Sequence, residues 1–266
     1  MKKILFFILA LAMSLTLVAC GKKSDKTTKL VKDNEWVTPG ELISEYKDKN
    51  KKVSIVKMTF RFKDDDGLKY IGYMTFVTFN DLAPITCTNF VKLADEKSKF
   101  YDNLTITRVV TTDLIQGGDP EKTTLATKKE SQSTIKGEFE ENNVYNNLSH
   151  RRGVISMARA NDYNSASSQF FIVANTFTSA DSNYAAFGWL LEELKEGKVS
   201  YTKEERYSTM TEDGYKVLYD YDCLDKICSL NVQNDANDGE PVQLVEILKA
   251  EVLEKDVNIL DSNYIK

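Results

Sequence analysis

Histidine is almost absent from this 266-residue chain, with His150 its one example. A metal centre of several imidazoles cannot be built, and a Ser-His-Asp hydrolase would rest on that single ring. His150 stands just before Arg151-Arg152 and reads as a surface or hairpin residue, not a general base. Cysteine is also scarce, with four residues. Cys87 falls on an apolar helical face and has no base beside it in sequence, so it reads as a small core residue. Cys223 and Cys228 point to different faces of one helical stretch and read as core thiols, so no disulfide is expected. Neither sign of charge dominates: the formal net charge is −5, with both signs mixed along the chain. That mixture, without a basic face or basic-aromatic interleaving, argues against a nucleic-acid partner. The Gly117-Gly118 pair lacks the surroundings of a phosphate-binding loop. Asp64, Asp65 and Asp66 lack the closing Glu of a calcium loop and read as a hairpin turn ending at Gly67. Neither a metal nor a cofactor is expected.

Long apolar runs are missing as well, apart from residues 4–18 behind Met1-Lys2-Lys3. That run has the length of a secretory signal core and is short for a membrane span. It ends Leu17-Val18-Ala19-Cys20-Gly21, which resembles a bacterial lipobox. Residues 1–19 are thus read as a lipoprotein signal peptide and Cys20 as the lipidated residue, holding the protein at the outer face of the cytoplasmic membrane. An ordinary signal peptide with an incidental Cys is the alternative. Residues 20–52 read as a polar, lysine-rich tether containing a short helix near 38–46, with Thr38 as cap and Pro39 at its first position.

The folded part is expected from residue 53. Residues 53–62 and 68–79 alternate as strands. A helix opens at Pro84, with Cys87, Phe90, Val91 and Ala94 on one face. Residues 104–110 alternate again, with Arg108 in phase with Leu104, Ile106 and Val110. Two further strand-like runs, 153–158 and 169–174, flank a small polar loop. By composition they read as a hairpin with a long loop.

The wording of these segments is specific. Phe100-Tyr-Asp-Asn-Leu-Thr-Ile-Thr-Arg-Val, Leu114-Ile-Gln-Gly-Gly-Asp-Pro, Gly153-Val-Ile-Ser-Met-Ala-Arg, Ser165-Ala-Ser-Ser-Gln-Phe-Phe-Ile and Ala186-Phe-Gly follow one another at set spacing. In that order they resemble the cyclophilins, which are peptidyl-prolyl cis–trans isomerases. The resemblance covers about residues 53–190 and resumes at 215–254. It implies a mainly β fold: a closed eight-stranded antiparallel barrel capped by two helices, at 84–100 and 215–230, with 243–253 closing the barrel. Residues 53–254 form the implied domain, 191–214 an insertion within it, and 255–266 a C-terminal tail.

The resemblance also implies roles. Arg108 matches the catalytic arginine, and Gln116 would orient its guanidinium. Gln169 matches the glutamine that bonds substrate backbone, and Phe171 the floor of the proline pocket. Leu114 takes a pocket position, Ala158, Arg159 and Ala160 a loop edge that pairs with substrate main chain, and Tyr184 a position often held by histidine. Several residues depart from the pattern, beginning with Ile106-Thr107-Arg108 where the family usually reads Phe-His-Arg. Asp113 stands where the family has an apolar wall, and Ser179 followed by Ala180 where it has a tryptophan and a leucine. A shallower, wetter pocket, poor cyclosporin sensitivity and weakened activity follow, with Asp113 a competitor for Arg108. The implied protein is a monomeric, membrane-tethered isomerase acting on proline-containing unfolded or exported polypeptides. The alternative is a catalytically weak or inactive cyclophilin-like lipoprotein that binds proline-containing segments or a protein partner.

Overall fold

Alternation of buried and more exposed residues over 56–62 and 70–76 builds the first two strands. The structure, a computed structural model, describes residues 29–191, 213–235 and 237–265. In β1 (Lys52–Lys63) Val56, Met58, Phe60 and Phe62 are buried, and in β2 (Lys69–Phe79) Tyr70, Met74 and Phe76 face them. The two pair antiparallel from Val53↔Phe79 to Lys63↔Lys69. Asp64 makes the turn: its Oδ1 accepts from the N–H groups of Asp66 (3.1 Å) and Leu68 (2.9 Å), while Gly67 takes φ 81°.

Six more strands complete the wall: β3 (Leu104–Val110), β4 (Leu114–Gly117), β5 (Val154–Met157), β6 (Phe170–Val173), β7 (Ala186–Leu191) and β10 (Val245–Asn258). Their order is β1-β10-β3-β4-β6-β5-β7-β2, and β2 pairs back to β1. All eight pairings are antiparallel, so this is a closed eight-stranded barrel without a free edge in its circuit. Two short strands lie outside the circuit. β8 (Lys216–Tyr219) runs parallel to β2, and β9 (Asp238–Gly239) pairs with the end of β3.

One buried cluster fills the interior, including Met58, Phe76, Tyr101, Phe170 and Phe187. α2 (Pro84–Ala94) adds Cys87, Phe90 and Val91 to it, and α3 (Asp220–Cys228) adds Cys223, Leu224 and Ile227. Both helices therefore close the same core. Each is shorter than the sequence suggests. After Ala94 the chain turns at Asp95, whose carbonyl accepts from Ser98 and Lys99. Val217 and Leu218, expected in the second helix, belong instead to β8, which uses the ladder groups of β2 at Tyr70–Tyr73.

The chain ends also depart from expectation. The tether expected over 20–52 is docked from Val31 onward. α1 (Pro39–Asp48) starts with a reciprocal cap, Glu41 N–H to Thr38 Oγ1 at 3.3 Å and Thr38 N–H to Glu41 Oε2 at 2.7 Å. Its Leu42 and Tyr46 pack on the outward residues Val53, Ile55, Val77 and Phe79. Ile259 and Ile265, in the expected tail, join the same cluster. The reason is the second apolar face of β1 and β2, which would otherwise meet water. The signal segment, Cys20, and positions 192–212 of the expected insertion lie outside the described residues. No helix among the described residues is long and apolar enough to cross a membrane.

Candidate active site

A bulge in β3 places the site on the barrel's outer surface. Leu104 and Ile106 point inward and are buried. Ile106 lies opposite Gly117, but Arg108 lies opposite Gln116, so two residues of β3 advance against one of β4. The extra residue reverses the alternation. Val109 becomes the inward side chain, and Arg108 turns outward. The phase shared by Arg108, Leu104 and Ile106 in the sequence is broken at this point.

Register then carries the row across the sheet. Gln116 lies opposite Phe171, and Phe171 opposite Ser156. Arg108, Gln116, Phe171 and Ser156 thus line up on one face of four neighbouring strands. Leu114 and Phe171 share one outer apolar cluster with Ala158 and Tyr184 packed against it.

Three rings frame Phe171. Tyr184 meets it edge-on at 5.6 Å, Phe177 edge-on at 6.3 Å, and His150 lies parallel at 5.8 Å. His150 is not a surface residue; it is 1% exposed. Its Nδ1 lies 2.8 Å from Asp181 Oδ1 and its Nε2 3.0 Å from Ser156 Oγ. This is a Ser-His-Asp chain, but Ser156 is wholly buried behind the phenyl ring, so it presents no nucleophile to a substrate. Burial was hidden in the sequence because the loop around His150 is polar.

Gln116 does not bond Arg108. Its Nε2 donates to Gln169 Oε1 at 3.0 Å, tying β4 to the residue before β6. Nor does the structure pair Asp113 with Arg108. Asp113 sits exposed in the β3–β4 turn, its carbonyl accepting from Ala174 N–H. The guanidinium is held by Asp238 of β9: Nε and Nη2 donate to its two carboxylate oxygens, each at 2.6 Å. These charge-assisted bonds hold the Asp238 carboxyl below the usual range and push the guanidinium pKa up. Asp238 and Phe177 have no signal in the sequence: Asp238 arrives in β9, 130 residues along the chain from Arg108, and Phe177 stands in the turn after β6.

Arg159 turns into a cage. Its guanidinium carbon lies 4.8–5.2 Å from the ring centres of Tyr184, Tyr163 and Phe139, and Nε donates to Asn183 O. The N–H of Ala158 bonds Gln169 O and that of Ala160 bonds Ser165 Oγ, so both are committed within the chain. Ser179 is exposed in a 3₁₀ turn (Thr178–Ala180), while Ala180 is buried.

Chemically, the face offers an apolar floor beside a planar permanent cation, with two side-chain amides between them. It can seat an apolar ring and aim N–H donors at an amide. Among the described residues no cluster of His, Cys, Asp and Glu could hold a metal ion.

Comparison with known proteins gives the chain's family. Residues 59–198 match the family model for "Cyclophilin type peptidyl-prolyl cis-trans isomerase/CLD". The chain is 34% identical over 144 residues to peptidyl-prolyl cis-trans isomerase-like 1 of Neurospora crassa, covering 52% of this chain and 83% of that one. It is 35% identical over 127 residues to a peptidyl-prolyl cis-trans isomerase of Acinetobacter baylyi, covering 46% and 63%. A candidate bifunctional phosphatase/peptidyl-prolyl cis-trans isomerase of Streptococcus pyogenes is 41% identical over 105 residues, covering 40% and 21%. The chain thus spans less than two thirds of the last two relatives. Among solved structures, a cyclophilin type isomerase of Cryptosporidium parvum aligns with a TM-score of 0.49 at 22% identity, covering 75% of this chain and 99% of that one.

Proposed function

This chain belongs to the cyclophilin-type peptidyl-prolyl cis–trans isomerases, and from that premise we propose that it catalyses rotation about X–Pro amides through the face centred on Arg108. The observation that carries this reading is the row Arg108–Gln116–Phe171, which sets a cation beside an apolar floor on an open outer surface.

The reaction breaks no bond. An X–Pro amide turns over in tens of seconds unaided because its C–N bond has partial double-bond character. In the twisted transition state the prolyl nitrogen regains its lone pair. The Phe171 floor, walled by Tyr184 and Phe177, holds the pyrrolidine ring. An N–H of Arg108 donates to the prolyl nitrogen and favours the twisted, unconjugated geometry. This is preorganised electrostatic stabilisation, and a rigid planar donor suits it. The Gln116–Gln169 pair fixes the Gln169 amide, whose remaining donors meet the substrate backbone.

In the cell we place this activity at a membrane surface. A lipid on Cys20 would tether the domain outside the cytoplasmic membrane, where exported, unfolded chains with slow X–Pro bonds are the substrates. The lipobox-like Leu17-Val-Ala-Cys20 supports that placement.

The test is acceleration of cis–trans exchange in a proline tetrapeptide, comparing the protein with Arg108→Ala. We expect catalysis by the former and a loss of about a hundredfold or more in the latter. Folded protein that binds proline peptides but does not accelerate exchange would instead identify a binding module. Globomycin-sensitive processing and labelling by a palmitate analogue that Cys20→Ala abolishes would test the anchor.

A further inference from the structure

The guanidinium of Arg108 is gripped on one edge only. Nε and Nη2 both donate to Asp238, a bidentate fork that fixes the guanidinium plane and not merely its position. Among the described residues no acceptor bonds Nη1. The opposite edge, Nη1 with the outer N–H of Nη2, therefore carries three donors.

Asp238 is itself built into place. β9 pairs with β3 at Val109↔Gly239 and Val110↔Asp238, next to Arg108. Thr111 N–H donates to Asn237 O at 2.8 Å, and Gln233 N–H to Glu240 O at 2.9 Å. Lys122 Nζ reaches Glu240 Oε2 at 3.0 Å, pinning the far side of the segment. A two-residue strand has little reason to persist on its own; here it adds backbone bonds at the end of β3 and delivers one carboxylate to one arginine.

We propose that Asp238 is a positioning residue for the isomerase, holding the Nε edge of Arg108 so that the Nη1 edge faces the prolyl amide. This rests on the reading of the Arg108 face as an isomerase site. A long, flexible arginine on an open surface samples many rotamers, and the transition state needs one of them. The carboxylate removes that search before substrate arrives.

The experiment uses the full chain and three substitutions, Asp238→Ala, Asp238→Asn and Asp238→Glu, with Arg108→Ala as the reference. Tetrapeptide isomerisation gives kcat and KM separately. We expect Asp238→Ala to lower kcat about tenfold with KM nearly unchanged, and Asp238→Glu to recover part of the loss. In parallel, the Nε–Hε proton of Arg108, assigned by its absence in Arg108→Ala, should exchange slowly with solvent in the parent protein and fast in Asp238→Ala. A rise in kcat/KM on removing the carboxylate would overturn the proposal, because Asp238 would then be a competitor of substrate. Unchanged kcat would overturn it too, as would rapid Nε–Hε exchange in the parent protein. If the parent protein shows no catalysis at all, the isomerase reading fails; slow exchange then establishes only the grip on the guanidinium, and the catalytic role of Asp238 falls with that reading.

Discussion

The imidazole of His150 lies parallel to the phenyl ring of Phe171, 5.8 Å away and tilted by 13°. The ring is locked in that plane at both nitrogens. Asp181 Oδ1 accepts from the His150 backbone N–H (2.7 Å) and faces Nδ1 (2.8 Å), so Nδ1 carries the proton; in the neutral ring Nε2 accepts from the Ser156 hydroxyl (3.0 Å). The proposed proline floor therefore has a rigid polar backing.

Replacing His150 tests that backing. Asp181 keeps two donors, the backbone N–H of residue 150 and Ser149 Oγ at 2.8 Å. The main loss in His150→Ala is a buried cavity behind Phe171. We expect about 2–4 kcal/mol less stability in urea unfolding and a several-fold rise in KM for a proline peptide, as the phenyl ring gains freedom. If stability falls while KM stays fixed, His150 supports the fold and not the floor.

Glu138 offers a second test, away from the site. α2 begins at Ala83-Pro84 and has no side-chain cap of its own. The carboxylate of Glu138, 3% exposed, takes that role from a distant loop: it accepts from Ile85 N–H (3.1 Å), Thr86 N–H (2.7 Å) and Thr86 Oγ1 (2.7 Å). A negative group at a helix N-terminus satisfies orphan donors and meets the positive end of the dipole. Glu138→Gln keeps the shape but turns an NH₂ toward those donors. It should cost about 1–3 kcal/mol in thermal unfolding; a variant as stable as the parent would refute the cap.

The buried thiols give a pH signature. Burial pushes Cys228 up to about 11 and Cys87 and Cys223 well above the ordinary thiol value. A folded pKa above the unfolded one means that the unfolded chain ionises first as pH rises. Their contribution to stability is full below about pH 8.5 and is lost as pH climbs through the folded values. The denaturation midpoint should fall between about pH 9 and 11, and less so in Cys228→Ala. At pH 8 a thiol reagent should label none of the three until the protein is unfolded; rapid labelling of native protein would contradict the burial.

Much of this protein is legible in its residues. Alternation in 53–62 and 68–79 marks the first hairpin, because one face of each strand must be buried. The apolar spacing from Cys87 to Ala94 marks the first helix in the same way. The segments around Arg108, Gln169 and Phe171 carry their family resemblance in plain wording. Periodicity is local, so local sequence can show it. Three things depended on contacts between distant segments. The bulge between Ile106 and Arg108 exists only against β4, and it alone decides that Arg108 faces outward instead of into the core. The grip of Asp238 on Arg108 joins residues 130 apart in the chain. His150 lies under Phe171 because strands β5 and β6 bring Ser156 opposite that ring, while Asp181 closes on the far nitrogen. Which face a strand residue takes, and which partner a charge finds, are settled by register and packing across the barrel; the sequence by itself supplied the strands, the helix and the chemical parts.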